Sequence, residues 1–200
     1  MDEYIKLNEL ISGQKVSDLV ALNIGQLGEN IILRRGVTIA VGEGVSIEGV
    51  THPVVNDTGI TEPIQVGKYG ALVTYTKNEN AGNIEEGQTP ASIIRQLCQH
   101  VIGMNPTSVG NMEDLPPLRT AEEREAAANA KEEQMVQAAT AEGLEIQATK
   151  KKLVIDPDTL IHQDFLSDQE RTVGEVLQET GIEIKDFLRY ELGQEINNEE

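Results

Sequence analysis

Apolar positions near the start of the chain recur on one helical face: Val20, Ile24, Leu27 and Ile31 stand four, three and four residues apart. That spacing predicts a helix over 16–35, with Arg34 and Arg35 suited to the C-terminal end of its dipole and Gly36 placed to end it. Inside this span Gly25 and Gly28 each cost roughly 1 kcal/mol relative to alanine. At least one of them is therefore expected to admit another backbone. A weak alternation over Val37 to Val41 predicts a strand stopping at Gly42. Residues 45–55 have strand character, and the run Tyr69-Gly70-Ala71-Leu72-Val73-Thr74-Tyr75-Thr76 is a second strand. Together they predict an antiparallel hairpin with a long loop.

Thr89-Pro90 supplies an N-cap and a first-turn proline for the next helix, whose buried face is Ile93, Ile94, Leu97, Val101 and Met104; Asn105-Pro106 ends it. Met112 to Leu118, with two adjacent prolines, reads as a linker. Thr120 and Glu123 form a capping box for an Ala, Glu, Gln and Lys stretch reaching Gly143, which has high helix propensity but a weak apolar face. An exposed helix is expected there. A second capping box, Thr172 with Glu175, opens a helix that stops at Gly181. The strand after it, Ile182 to Leu192, is expected to place Ile182, Ile184, Leu188, Tyr190 and Leu192 on one face.

Composition narrows the functions open to such a chain. Its 200 residues are 38% hydrophobic but only 3% aromatic, with no tryptophan, so the core must be aliphatic. Sixteen Lys and Arg against 34 Asp and Glu give a formal charge of −18, which opposes binding to a phosphate backbone and makes a protein the default partner. The one cysteine, Cys98, has no intrachain disulfide partner. No Cys/His cluster has metal-ligand spacing, no cofactor is implied, and no nucleophile stands with a base. Cys98 and His100, on an otherwise apolar helix, read as core or boundary rather than as redox or metal-binding groups. No apolar run approaches the ~18 to 20 residues that cross a bilayer. The start, Met1-Asp2-Glu3-Tyr4, is acidic where a transit peptide would be arginine-rich.

Three segments carry a resemblance, in order along the chain. The first is Leu19-Val20-Ala21-Leu22, then Leu27-Gly28-Glu29-Asn30-Ile31 and Leu33-Arg34-Arg35. The second is Leu97-Cys98-Gln99-His100-Val101-Ile102-Gly103-Met104-Asn105-Pro106. The third runs through Gln163-Asp164-Phe165-Leu166, Arg171-Thr172-Val173-Gly174-Glu175-Val176-Leu177 and Asp186-Phe187-Leu188-Arg189-Tyr190-Glu191-Leu192-Gly193. These resemble the elongation factor Ts family, the second segment its mitochondrial branch. The resemblance implies an α+β fold of two related subdomains, each a three-stranded antiparallel sheet packed on helices, the first incomplete. The expected organisation is a remnant of the first subdomain over 1–44, the first part of the second over 45–111, a linker and exposed helix over 112–156, the last part of the second over 157–193, and an acidic tail over 194–200.

By that resemblance the chain is expected to be a guanine nucleotide exchange factor in mitochondrial protein synthesis, not an enzyme. Its expected partner is elongation factor Tu, GDP-bound or nucleotide-free, in a 1:1 heterodimer in the mitochondrial matrix, with neither nucleic acid nor membrane involved. The residues implied to meet the partner are Leu27, Gly28 and His52, which match GTPase-facing positions, and Asp164, Phe165, Leu166 and Ser167, toward the partner's distal β-domain. Gly28 reads equally as a helix-packing glycine, Leu27 as core, and His52, beside Pro53, as a surface histidine. The family's N-terminal helical domain and its Thr-Asp-Phe-Val motif, whose phenylalanine wedges into the GTPase domain, are expected to be lacking. The alternative reading is therefore a module that binds elongation factor Tu with little or no exchange activity.

Overall fold

The computed structural model describes residues 15–54, 64–78, 84, 87–120, 122–127, 129–130 and 158–195. The chain falls into two units, 1–40 with 195–200, and 41–194. In the first, helix α1 spans Val16–Leu27. Asp18 lies in its first turn, where its charge favours the dipole. None of its residues is buried. The helix stops eight residues before Arg35, because Gly28 adopts a left-handed conformation, φ 72°, and its N–H closes the last turn on the Ile24 carbonyl. Residues 30–42 carry no regular structure. The expected helix to 35 and strand over 37–41 are thus both corrected: the apolar spacing continues past Gly28, but the cap ends the helix first.

The second unit is built on a three-stranded antiparallel sheet ordered β1 (Val45–His52), β2 (Tyr69–Lys77), β5 (Ile182–Glu191). The expected hairpin of β1 with β2 is present, Val45 opposite Thr76 through His52 opposite Tyr69. Helix α2, Pro90–Met104, lies against it and buries Ile93, Ile94, Leu97, Cys98, His100 and Val101. Its start is the predicted one: Thr89 accepts from the Ser92 N–H, and the Ser92 side chain returns the bond to the Thr89 N–H. Asn105, in the left-handed region at φ 48°, ends it.

Strand β5 departs from the expected alternation. Tyr75 pairs with Ile184 but Thr74 pairs with Asp186, leaving Lys185 as an extra residue. Side chains opposite one another share a face, so the inward set changes from Ile182 and Ile184 to Phe187 and Arg189, opposite the buried Val73 and Ala71. Leu188 and Tyr190, expected beside Ile182, stand on the other face opposite Leu72 and Gly70.

Between α2 and β5 come a short hairpin, β3 (Asp164–Phe165) with β4 (Asp168–Thr172), and helix α3, Val173–Thr180. The predicted capping box is formed: the Thr172 side chain accepts from the Glu175 N–H, and the Glu175 carboxylate accepts from the Thr172 N–H. Arg119 donates Nε and Nη2 to the same carboxylate, each at 2.6 Å. The stretch read as a linker is anchored, with Met112 and Leu115 against the core. A Cβ on Gly174 would come within 2.6 Å of Leu115 Cδ2 and 2.8 Å of the Ile161 carbonyl, so the two segments pack on this glycine. The box of Thr120 with Glu123 is also present, and residues 122–127 and 129–130 are helical; the stretch from 131 to Gly143 lies outside the described residues. The observed class is mixed α and β. Among the described residues it holds one three-stranded and one two-stranded antiparallel sheet, and the first unit contributes no strand to either.

Candidate functional site

In the first unit, Leu27 is the last residue of α1 and is 65% exposed. Gly28 beside it ends the helix rather than sitting within it. A Cβ placed on Gly28 would meet nothing within 4 Å. The left-handed backbone therefore accounts for this glycine, and no internal neighbour crowds it.

In the second unit, His52 ends β1 and is exposed, opposite Tyr69, which in turn stands opposite Glu191. The Tyr69 ring lies 5.2 Å from the Lys68 ammonium and 5.3 Å from the Arg189 guanidinium, both within cation–π range. Arg189 Nε donates to the Ile102 carbonyl at 3.3 Å. At the next residue of α2, Gly103, an added Cβ would touch Leu166 Cδ2 at 3.5 Å. His52 and Leu166, distant in sequence, thus stand at the two ends of one run of contacts across the C-terminal turn of α2. Exposed apolar side chains accumulate at this end of the sheet. Met104, Leu166 and Leu192 are among them, Leu192 being tied in by its N–H to the Lys68 carbonyl at 2.7 Å.

The Asp164–Ser167 loop divides by the alternation of β3. Asp164, Leu166 and Ser167 are exposed, whereas Phe165 is 3% exposed and lies in the core. The expectation that Phe165 meets a partner is corrected on this point: its ring anchors the loop, and its neighbours face outward. The anchor is His100 on α2, fully buried, its ring centroid 6.0 Å from that of Phe165. His100 Nε2 lies 2.9 Å from Gln163 Oε1, and the Leu166 N–H donates to Nδ1 at 3.1 Å. Burial holds the imidazole below its ordinary pKa, against an upward pull from Gln163.

Beside the loop an open cleft of about 750 Å³ reaches from α2 to α3, with Gln96, Phe165, Ser167 and Arg171 on its wall. Its charge is matched locally, since Arg171 donates to Asp168 and Glu179 at 2.6 and 2.8 Å. Cys98 is buried and its thiol is pushed up to about 12, by burial first and by Glu48 second, so it is held protonated. Among the described residues no three potential metal ligands converge. Sequence reasoning placed His100 in the core or at its boundary but missed its bonds. Tyr69 and Arg189 were missed as well, because only the strand register shows that they adjoin His52.

The chain matches the family model described as Elongation factor TS over residues 2–194. It is similar to the mitochondrial elongation factor Ts of Drosophila melanogaster, 32% identical over 183 residues that cover 91% of this chain and 45% of the relative. It is also similar to that of Branchiostoma floridae, 35% identical over 192 residues covering 92% and 51%. The human protein is 30% identical over 179 residues, covering 90% and 42%. The chain therefore spans about half the length of the curated relatives it matches.

Proposed function

This chain belongs to the elongation factor Ts family, and on that premise we propose that it binds elongation factor Tu and promotes GDP release in mitochondrial protein synthesis. The observation that carries this reading is the family match, which runs through both the α1 segment and the second unit. Elongation factor Ts is a nucleotide exchange factor, not an enzyme. A GTPase holds GDP through amides around the phosphates and a bridging Mg²⁺. A factor speeds release by binding the nucleotide-free form more tightly, and by linkage GDP weakens the factor's hold to the same degree. Such a protein needs complementary surface and no acid, base or nucleophile.

The surface we assign comprises Leu27 with Gly28 at the end of α1, and His52 with the outward residues Asp164, Leu166 and Ser167 in the second unit. Burying one exposed leucine contributes on the order of 1.5 to 3 kcal/mol, so Leu27 and Leu166 are the largest apolar contributors in this set. We assign the protein to the mitochondrial matrix, in keeping with its relatives, and its complex to one copy of each partner.

A second reading keeps binding and exchange apart, because the chain spans about half the length of the relatives it matches. On that reading the chain docks on elongation factor Tu without expelling nucleotide. Mixing the chain with elongation factor Tu loaded with a fluorescent GDP separates the two. Accelerated release supports exchange; co-elution with no acceleration supports docking alone; the absence of both rejects elongation factor Tu as partner.

A further inference from the structure

We propose that His100 is a positioning residue for the partner-facing loop: from inside the core, its imidazole fixes the backbone of Leu166 and thereby the outward display of Asp164, Leu166 and Ser167. The proposal rests on the reading that this loop meets elongation factor Tu.

Leu166 and Ser167 form the tip between Phe165 and Asp168, which pair with each other, so the Leu166 N–H has no place in the two-stranded ladder. It donates instead to His100 Nδ1 at 3.1 Å. A backbone N–H can only donate, so Nδ1 must be unprotonated and the ring proton sits on Nε2, which donates to Gln163 Oε1 at 2.9 Å. One ring thus grips the loop at two points, residue 163 before β3 and residue 166 at the tip. The Phe165 side chain between them is held against the same ring.

The chemistry explains why a histidine stands where an aliphatic residue would pack as well. A fully buried imidazole is costly unless both nitrogens are satisfied, and here one partner is a side chain while the other is the loop itself. The Leu166 side chain remains 46% exposed, resting by Gly103 at the end of α2. Its backbone is tied inward as its side chain faces out, so movement of the backbone alters what a partner meets.

Two substitutions divide the ring's roles. In His100→Asn the amide oxygen can take the place of Nδ1 and accept from Leu166, while the bond to Gln163 is lost. In His100→Gln the longer amide reaches the place of Nε2 and Gln163, and the Leu166 N–H is left without its acceptor. Each variant loses one buried bond, and urea midpoints serve to match them for stability. Two readouts follow: the dissociation rate from nucleotide-free elongation factor Tu, and the hydrogen-exchange rate of the Leu166 amide. Asn should stay within about threefold of the parent in both, whereas Gln should dissociate about tenfold faster or more, with a fast-exchanging Leu166 amide. An unchanged Leu166 amide in the Gln variant would refute the strut. A fast amide with unchanged binding would show that the loop is held by His100 but is not read by this partner, and equal weakening in both variants would reduce His100 to a core residue. No binding by the parent chain would remove the partner reading, and this proposal with it, while the amide exchange would still report on the bond.

Discussion

Helices α1 and α2 look alike as patterns and differ in what they bury. Both place apolar residues three and four apart, yet α1 buries none of its residues and α2 buries six. The difference lies in the neighbours. Strands β1 and β2 lie under α2, with Arg95 paired to Glu48 at 3.0 Å and Cys98 donating to the Glu48 carbonyl. In α1, by contrast, Leu27 on the stripe is 65% exposed, and Val20 and Ile24 are only half-buried. Periodicity names the face that wants cover but not what covers it. In a chain read as a binding surface, the uncovered stripe is the one to test.

The largest expected effect breaks the symmetry of the two helices outright. Leu97→Ala, at a position 2% exposed, should cost about 2 to 5 kcal/mol through lost burial and a cavity. Leu27→Ala, at the exposed end of the α1 stripe, should stay within about 0.5 kcal/mol. Urea unfolding of the two variants measures both, and comparable losses would mean that α1 is covered in solution.

The next test concerns how helices begin. The N-cap of α1, Lys15, makes no side-chain bond, whereas α3 starts on Thr172 and Glu175, with Arg119 clamped to the latter. Burial alone would raise the Glu175 pKa, but the Arg119 guanidinium and the Thr172 N–H overcome it and bring it from 4.5 to about 2. Because the folded value lies below the unfolded one, the unfolded chain binds the extra proton. The stabilisation is therefore complete above pH 4.5 and is lost as pH falls toward 2. It amounts to about 3 kcal/mol at most. Glu175→Gln should lower the urea midpoint at neutral pH and flatten the loss of stability between pH 4.5 and 2; an unaltered acid limb would contradict the assignment.

The smallest effects compare two glycines, Gly25 within α1 and Gly28 capping it. Gly25, mid-helix with nothing within 4 Å of an added Cβ, should gain up to roughly 1 kcal/mol of helix stability as alanine. Gly28→Ala should lose roughly 1 to 2 kcal/mol, because its left-handed backbone disfavours a side chain. Circular dichroism during thermal unfolding should move in opposite directions for the two. Movement in the same direction would show that Gly28 does not end the helix.

Local chemistry was legible wherever it decided the outcome. Thr89 with Pro90, Thr120 with Glu123, and Thr172 with Glu175 start their helices as read, and the β1–β2 hairpin follows from two runs of β-formers. Three features were not legible. Gly28 stops α1 although the apolar spacing runs on, because a cap acts on one residue and periodicity on many. Phe165 is buried beside exposed neighbours, since which face of β3 turns inward depends on packing against His100. The contact run from His52 to Leu166 depends on strand register and on Arg189 reaching α2, and neither has a local signature.

Lys185 also bears on how this sequence tolerates change. It acts like a frameshift in the pleat: the residues before it are read in one phase and those after it in the other. Deleting it would join Ile184 to Asp186 opposite Tyr75 and Thr74, so both halves would keep their partners in one unbroken pleat, with Leu188 and Tyr190 still outward and Arg189 still by the Ile102 carbonyl. Position 185 should therefore tolerate both substitution and loss, with only the local bend removed.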